Sequence, residues 1–123
     1  MIGIISLLMA AALTAGDSPP AAAASFLEAV ASGDLAAARA LVSNDAMIVD
    51  ESQGSPSSSL EAFAEYVRGC ERQDLTWDVD QDDPGRAASV VTWVCPSRAA
   101  VQAFIWTEQS KVVAIQFGPA PEQ

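Results

Sequence analysis

Residues 26–54 read FLEAVASGDLAAARALVSNDAMIVDESQG, and they specify the order of the first structural elements. Apolar residues at helical spacing precede a Ser-Gly-Asp break, in which Gly33 is a typical helix stop. Asp34 is placed to cap a second short helix, and Ala46 to Val49 predicts a short strand that ends at Asp50. The stretch therefore predicts a helix, a second helix, a strand and then a loop.

Capping residues mark the helices on either side of this stretch. Upstream, Ser18 and Pro19 suit the N-cap and the first position of the first helix. Downstream, Ser58 and Glu61 form an S-x-x-E capping box before an apolar run. The spacing of that run predicts a third helix that ends near Glu71.

The second half of the chain has the pattern of strands. Leu75, Trp77 and Val79 alternate with polar residues, and Asp82-Asp83-Pro84-Gly85 then predicts a type II turn. Three further strands are predicted at residues 86–95, 99–107 and 111–117. The first of these is apolar on both faces and is expected inside the sheet. Helices that cover one face of a curved antiparallel sheet give an α+β fold class.

Composition excludes several classes of function. The 123 residues include 16 acidic and 6 basic side chains, which give a net charge of −10. A polyanion would repel this chain, so nucleic acid is excluded as a partner. Because there is no His, His-based catalysis and His metal ligands are excluded as well. Asp78, Asp80 and Asp82 resemble the start of a calcium loop, but the Gly and Glu that complete the loop are missing, so no metal or cofactor is predicted.

Residues 1–15, MIGIISLLMAAALTA, have the pattern of a secretory signal peptide. The apolar run is shorter than the ~20 residues that cross a bilayer, and it ends in small residues. We therefore expect cleavage, a periplasmic or secreted mature chain, and no membrane contact afterwards. No Lys or Arg precedes the run, so a buried N-terminal helix is the alternative.

Cys70 and Cys95 are the only two cysteines. An even number of cysteines in an exported chain favours a disulfide, which would close a loop of about 25 residues. Two separate buried thiols are the alternative.

Three segments together resemble the nuclear-transport-factor-2-like superfamily, which includes SnoaL-like cyclases and ketosteroid isomerase. They are residues 26–54, SLEAFAEYV at residues 59–67, and KVVAIQFG at residues 111–118. The resemblance implies a domain at residues 16–118, and the Pro-rich residues 119–123 are predicted to form a flexible tail. It also implies a cone-shaped α+β barrel, in which three helices wrap a curved antiparallel sheet, and a homodimer formed through the outer sheet face.

The resemblance also suggests catalytic residues. In ketosteroid isomerase a carboxylate at the end of the first strand transfers a proton, and Asp50 matches that position. The oxyanion donors of that enzyme correspond to Phe26, which cannot donate a hydrogen bond, and to Gln102, which is a neutral amide. An enzyme of this kind would use Asp50 as general base and Gln102 as a weak polarising donor. Alternatively, Asp50 is a strand-end residue that accepts backbone N–H groups from the loop after it.

Aromatic side chains suggest an apolar pocket inside the cone. Alternation along residues 99–107 places Gln102, Phe104 and Trp106 on one side, which would line the pocket if that side faces inward. The predicted ligand-binding residues are Phe26, Phe63, Trp77, Trp93, Phe104 and Trp106. Ordinary core packing is the alternative for these rings.

The sequence thus favours an exported, non-catalytic domain that binds a small apolar molecule or a protein partner. The alternatives are a SnoaL-like or isomerase-like enzyme that uses Asp50, and a purely structural dimerisation module.

Overall fold

A computed structural model describes residues 19–53 and 58–121. The predicted signal peptide at residues 1–15 and the predicted N-cap Ser18 lie outside the described residues. No helix in the described ranges combines the length and the apolar character that a membrane crossing requires.

The described residues form three helices, a short 3-10 turn and five strands. The elements in chain order are α1 (Ala21–Ser32), α2 (Leu35–Ala40), β1 (Val42–Asp50), a 3-10 turn (Glu51–Gln53), α3 (Leu60–Tyr66), β2 (Glu71–Val79), β3 (Arg86–Val94), β4 (Val101–Glu108) and β5 (Lys111–Pro119). The predicted α+β class is confirmed.

The five strands form one sheet in the order β1-β5-β4-β3-β2. Strands β2 to β5 are antiparallel neighbours, as the short turns between them predict. However, β1 joins the far edge parallel to β5, with Val42 beside Val112 and Asp50 beside Phe117. The sheet is therefore mixed rather than purely antiparallel, and it is curved but not closed into a barrel. As expected, β3 lies in the interior of the sheet, between β4 and β2.

The ends of α1 and α2 follow local signals. Gly33 closes α1 in the left-handed conformation at φ 77°, which glycine adopts without steric cost. The Asp34 side chain accepts a hydrogen bond from the Ala37 N–H at 3.0 Å and so caps α2, as predicted. In contrast, α1 begins at Ala21 rather than at the predicted Pro19.

The predicted cap and end of α3 are wrong. The N-cap is Ser59, whose hydroxyl accepts from the Ala62 N–H at 3.1 Å, and not Ser58. The helix ends at Tyr66, and Glu71 already belongs to β2. Gly69 explains the early end, because at φ 78° it turns the chain out of the helical direction.

The structure also revises two smaller predictions, the type of the turn before β3 and the extent of the C-terminal tail. The Arg86 N–H donates to the Asp83 carbonyl at 2.9 Å, so the predicted turn forms. It is not type II, since Gly85 does not have the positive φ that type II requires. Pro119 and Ala120, which the sequence assigned to the tail, contact the sheet, because β5 extends to Pro119 and the Ala120 N–H donates to the Ala100 carbonyl at 2.8 Å; residues 122 and 123 lie outside the described residues.

Alternation along the strands separates an inner face, which packs against the helices, from an outer face. In β4 the residues Val101, Ala103, Ile105 and Thr107 are buried, whereas the residues between them are partly exposed. Helix α1 packs over β4 and β5, at the centre and one side of the sheet. The core therefore lies between the helices and this part of the inner face.

Candidate ligand-binding site

Aromatic rings fill the interior between the helices and the sheet. Phe63 lies at the centre, with ring centroids 6.0 Å from Phe26, 5.8 Å from Trp93 and 5.2 Å from Phe117. All four side chains are buried. Three of the predicted ligand-binding residues, Phe26, Phe63 and Trp93, therefore pack as core, which is the alternative that the sequence left open.

Gln102, Phe104 and Trp106 lie on one face of β4, but it is the outer face. Their neighbours in the chain point into the core, so alternation turns these three side chains away from the helices. The Phe104 and Trp106 rings stack at 6.1 Å, and Trp106 is 36% exposed. The condition under which this side of β4 would line the cone interior is therefore not met, because alternation alone does not determine which side the helices cover.

Asp50 ends β1 and is only 8% exposed. Its Oδ1 accepts hydrogen bonds from the Ser52 N–H at 2.9 Å and from the Ser52 hydroxyl at 2.6 Å. In the sheet it lies beside Phe117, an inner-face residue, whereas Gln102 lies on the outer face. The structure therefore does not bring the two candidate catalytic groups together.

The remaining candidate, Trp77, lies on an open groove. Strand β2 is the edge strand farthest from β1, beyond the part of the sheet that α1 covers. The inner-face side chains Leu75, Trp77 and Val79 are consequently only half-buried. Together with Pro84 from the following turn, they form the apolar part of a groove of about 650 Å³ along this edge. We call it the Trp77 groove.

Polar residues complete the lining of the Trp77 groove along the edge of the strand. They are Thr76, Asp78, Asp80 and Gln81. Alternation along β2 turns the Asp78 side chain to the outer face, where Asp78 and Asp80 also border a crevice that includes Arg86. Asp80 also accepts a hydrogen bond from the Asp82 N–H at 2.9 Å, which orders the turn. In the described ranges no group of three or more acidic or Cys side chains is arranged to hold a metal ion.

Ser89 is a buried polar residue beside the Trp77 groove that was not among the residues predicted from the sequence. Ser89 is paired with Trp77 across the β2–β3 ladder, so both side chains are on the inner face. It is 0% exposed, and its hydroxyl has no hydrogen-bond partner among the described residues. The alternation of β3 places Ser89 with Val91 and Trp93, and this pattern could have identified it as an inward polar residue.

A second crevice of about 770 Å³ lies between the three helices and the start of β2. Its floor includes the apolar residues Leu27, Val30, Leu35 and Val67. Charged residues of both signs surround it: Glu28, Glu61, Glu65, Arg68 and Arg72. Because its charges are mixed and exposed, it offers a small apolar ligand less than the Trp77 groove does.

Two carboxylates have pKa values shifted by hydrogen bonds. The hydrogen bond from Arg39 to Glu61 lowers the pKa of Glu61, with a smaller contribution from its own backbone N–H. This ion pair joins α2 to α3. The hydrogen bond from the Ser43 hydroxyl likewise lowers the pKa of Asp45.

The Cys70 and Cys95 sulfurs lie at disulfide-bonding distance. Cys95 is buried and extends from β3, whereas Cys70 lies just before β2. The pair therefore ties the start of the edge strand to the end of its neighbour. Arg98 lies close by, with its guanidinium 5.4 Å from the centroid of the Tyr66 ring.

Comparison with solved structures identifies the fold. A protein from Shewanella frigidimarina named as a ketosteroid isomerase superposes with a TM-score of 0.59 at 12% identity, covering 78% of this chain and 90% of that one. The chain has the nuclear-transport-factor-2-like fold. The prediction made from the sequence resemblance is thus confirmed at the level of the fold.

Further nuclear-transport-factor-2-like structures agree with this assignment. A protein from Pseudomonas putida named as a polyketide cyclase gives a TM-score of 0.54 at 18% identity, covering 80% of this chain and 88% of that one. A protein of unknown function from Shewanella baltica gives 0.55 at 14% identity, covering 82% and 90%. Neither a protein-family profile nor a curated protein sequence matches the chain significantly.

Proposed function

We propose that this nuclear-transport-factor-2-like chain is an exported, non-catalytic domain that binds a small, largely apolar molecule in the Trp77 groove. The observation that carries the proposal is an uncovered apolar surface on the inner face of the sheet, where Leu75, Trp77 and Val79 are half-buried. A volume of about 650 Å³ is within the ~300–1,000 Å³ of small-molecule sites.

The aromatic interior supports binding at the edge rather than at the centre. Phe26, Phe63 and Phe117 are 0% exposed and already pack against one another. A ligand in the centre would have to displace these rings, whereas the edge groove is open in the structure. A ligand can therefore occupy the edge groove with less rearrangement of packed side chains than binding at the centre would require.

Catalysis has less support than binding. Asp50 Oδ1 is engaged by Ser52, and Gln102 lies on the opposite face of the sheet. A general base needs a substrate atom within hydrogen-bond reach and a partner that stabilises the developing charge. The described residues do not bring a general base and a stabilising partner together. We therefore do not propose for this chain the activities that the fold neighbours are named for.

Export is part of the proposal and is supported by two features. Residues 1–15 have the pattern of a signal peptide, and Cys70 and Cys95 lie at disulfide distance. Fractionation of cells that express the full chain should place it outside the cytoplasm, with an intact mass that lacks an N-terminal peptide. A full-length chain that stays in the cytoplasm would contradict export.

Binding can be tested with Nile red, a neutral apolar dye whose emission shifts when it leaves water. The wild-type chain should bind it, and Trp77→Ala should weaken binding at least about fivefold because the aromatic wall is lost. Trp106→Ala is the matched control, since Trp106 lies on the outer face. Equal affinity of the Trp77→Ala variant and the wild type, or a loss in the control alone, would refute the site.

A further inference from the structure

Strand β2 leaves one side of the sheet open. It is the last strand in the order β1-β5-β4-β3-β2, so β3 is its single neighbour in the sheet. In the described ranges no backbone group outside β3 forms a hydrogen bond with Glu71–Val79. The peptide groups of β2 that face away from β3 are therefore available to pair with another extended chain.

A hydrogen bond at the end of β2 shows which residues have these open peptide groups. The Asp80 N–H donates to the Arg86 carbonyl at 3.0 Å, and these two residues continue the register of the β2–β3 ladder. Hydrogen-bonded and non-bonded residues alternate along an antiparallel pair. Leu75, Trp77 and Val79, at the alternate positions, therefore direct their N–H and carbonyl groups to the open edge.

The side chains of Leu75, Trp77 and Val79 also form most of the apolar wall of the Trp77 groove. They are half-buried on the inner face, and Pro84 completes this wall. From Leu75 to Val79 the strand spans about 14 Å. A peptide strand that pairs with β2 would complete the ladder with its backbone and place every second side chain in the groove. The edge and the groove thus fit one extended segment with alternating apolar residues.

The outer-face side chains of β2 indicate the charge of such a segment. Alternation turns Asp74, Thr76 and Asp78 to the outer face. Arg86 of β3 lies close to Asp78, and it is paired with Glu108 at 3.2 Å. Opposite charges on neighbouring strands stabilise the pairing of those strands. A docked strand would therefore gain from Lys or Arg at the positions between its apolar residues.

The same carboxylates disfavour a second copy of this chain as the occupant. Two β2 strands side by side would bring Asp74 and Asp78 of each copy close to carboxylates of the other, and like charges across a ladder are destabilising. The net charge of −10 on each chain adds to this repulsion. Charge at the edge thus prevents self-pairing and leaves the edge open to a basic strand.

We propose that β2 binds an extended segment of a protein partner, in which apolar residues alternate with Lys or Arg. The backbone of the segment pairs with the open edge, and its apolar side chains occupy the Trp77 groove. Its basic side chains lie beside Asp74 and Asp78. The proposal goes beyond small-molecule binding, since it adds the backbone edge and the outer-face carboxylates to the same groove.

Three peptides test the sequence pattern: the alternating basic Ac-KVKLKVK-NH2, the alternating acidic Ac-EVELEVE-NH2, and Ac-KKVLVKK-NH2, which has the basic composition without the alternation. In calorimetric titration at low salt, the alternating basic peptide should bind at least about fivefold more tightly than either of the others. Trp77→Ala should weaken its binding. Equal affinity of the two basic peptides, or tightest binding of the acidic one, would overturn the proposal.

Pairing through the backbone is tested with two N-methylated forms of the alternating basic peptide. One form is methylated at the nitrogens of its three apolar residues, and the other at the nitrogens of three lysines. Successive N–H groups of a strand point to opposite edges, so only one of these sets faces β2. One form should therefore lose binding and the other should keep it. Equal affinities of the two forms would exclude a strand ladder.

Charge reversal tests the role of the outer-face carboxylates. In Asp74→Lys/Asp78→Lys the preference should reverse, so that the alternating acidic peptide binds more tightly than the basic one. Glu28→Lys/Asp45→Lys makes the same change in net charge at exposed positions outside β2, and it should keep the preference for the basic peptide. Thermal melts verify that both variants fold. An unchanged preference in the first variant would contradict the proposed contacts.

The outcomes separate this proposal from the small-molecule site. Nile red binding that Trp77→Ala weakens, without binding of the basic peptide, would keep the small-molecule site and overturn strand docking. Binding of the peptide with the expected N-methylation and charge effects would support strand docking even if Nile red does not bind. Self-association of the wild-type chain that the basic peptide reverses would assign the edge to a second copy and overturn the proposal.

Discussion

The position of the Asp50 carboxylate suits two roles, that of a general base and that of a structural hydrogen-bond acceptor. It closes β1, it is nearly buried, and its Oδ1 accepts two hydrogen bonds from Ser52. These bonds form an Asx-type turn that carries the chain into the 3-10 segment. At the scale of the residue, the contacts indicate a structural role.

A structural Asp50 predicts a loss of stability on truncation. Asp50→Ala should lower the free energy of unfolding by about 1–3 kcal/mol, because the Ser52 N–H loses its acceptor, and Asp50→Asn should cost less because an amide oxygen can still accept. Urea denaturation measures both. Asp74→Ala, at an exposed position, is the control and should stay within about 0.5 kcal/mol of wild type. Unchanged stability of Asp50→Ala would instead favour a functional carboxylate.

At the scale of the element, α3 shows how a cap is chosen. Ser58 and Ser59 are adjacent, and the S-x-x-E pattern with Glu61 predicts the cap at Ser58. In the structure the Ser58 N–H donates to the Ile48 carbonyl at 2.7 Å, so Ser58 is held against β1. Ser59 then becomes the first residue free to cap α3.

Because Ser59 rather than Ser58 caps α3, alanine substitutions at these two residues should have unequal effects on stability. Ser59→Ala should destabilise the domain by about 1 kcal/mol, because the Ala62 N–H loses its acceptor. Ser58→Ala should cost less than half as much, since its backbone hydrogen bond does not need the side chain. Chemical denaturation of the two variants gives the comparison. A larger loss for Ser58→Ala would place the cap one residue earlier.

The ion pair between α2 and α3 predicts a pH dependence. Because the folded-state pKa of Glu61 is lowered, its contribution to stability is present above the ordinary glutamate pKa of about 4.3 and is lost as pH falls through the lower folded value. Glu61→Gln should therefore reduce the melting temperature at pH 7 and have a smaller effect at strongly acidic pH.

A double-mutant cycle isolates the partner. In an Arg39→Gln background, Glu61→Gln should no longer change the melting temperature by the same amount, because the hydrogen bond to Arg39 is the main cause of the shift. Identical effects of Glu61→Gln in both backgrounds would show that Arg39 is not the partner in solution.

At the scale of the whole molecule, the cysteine pair ties the edge strand β2 to the rest of the sheet. The two residues are 25 positions apart, and a cross-link over such a loop stabilises a protein by about 3–4 kcal/mol. Cys70→Ala/Cys95→Ala should lose most of that stability in urea denaturation. Alkylation followed by mass spectrometry is the check, and two thiols that react without prior reduction would show that no bond forms.

The outer sheet face makes a further prediction for the whole molecule. Met47 is 63% exposed and Trp106 36%, and the stacked Phe104 ring lies beside Trp106. We expect a second copy to cover this apolar surface. Sedimentation velocity should show a dimer, which Trp106→Glu should convert to a monomer. Trp106→Phe, which keeps an apolar ring, should leave the dimer intact, and a monomeric wild type would refute the interface.

Much of the architecture is predictable because its signals are local. The left-handed stop at Gly33 and the Asp34 cap depend on contacts within a few residues, and so does the alternation of β2 to β5. The fold resemblance also rests on the order of these local pieces. For that reason the α+β class, the three helices and the antiparallel strand order could be predicted from the amino-acid sequence.

Tertiary structure decided the rest. Alternation along β4 allows two solutions, and only the helix packing over one face shows that Phe104 and Trp106 point outward. The parallel docking of β1 on β5 joins residues about 70 positions apart, and no local pattern encodes it. Trp77 has the same alternating surroundings as other strand residues. It lines a groove only because α1 covers β4 and β5 and leaves β2, at the edge of the sheet, open.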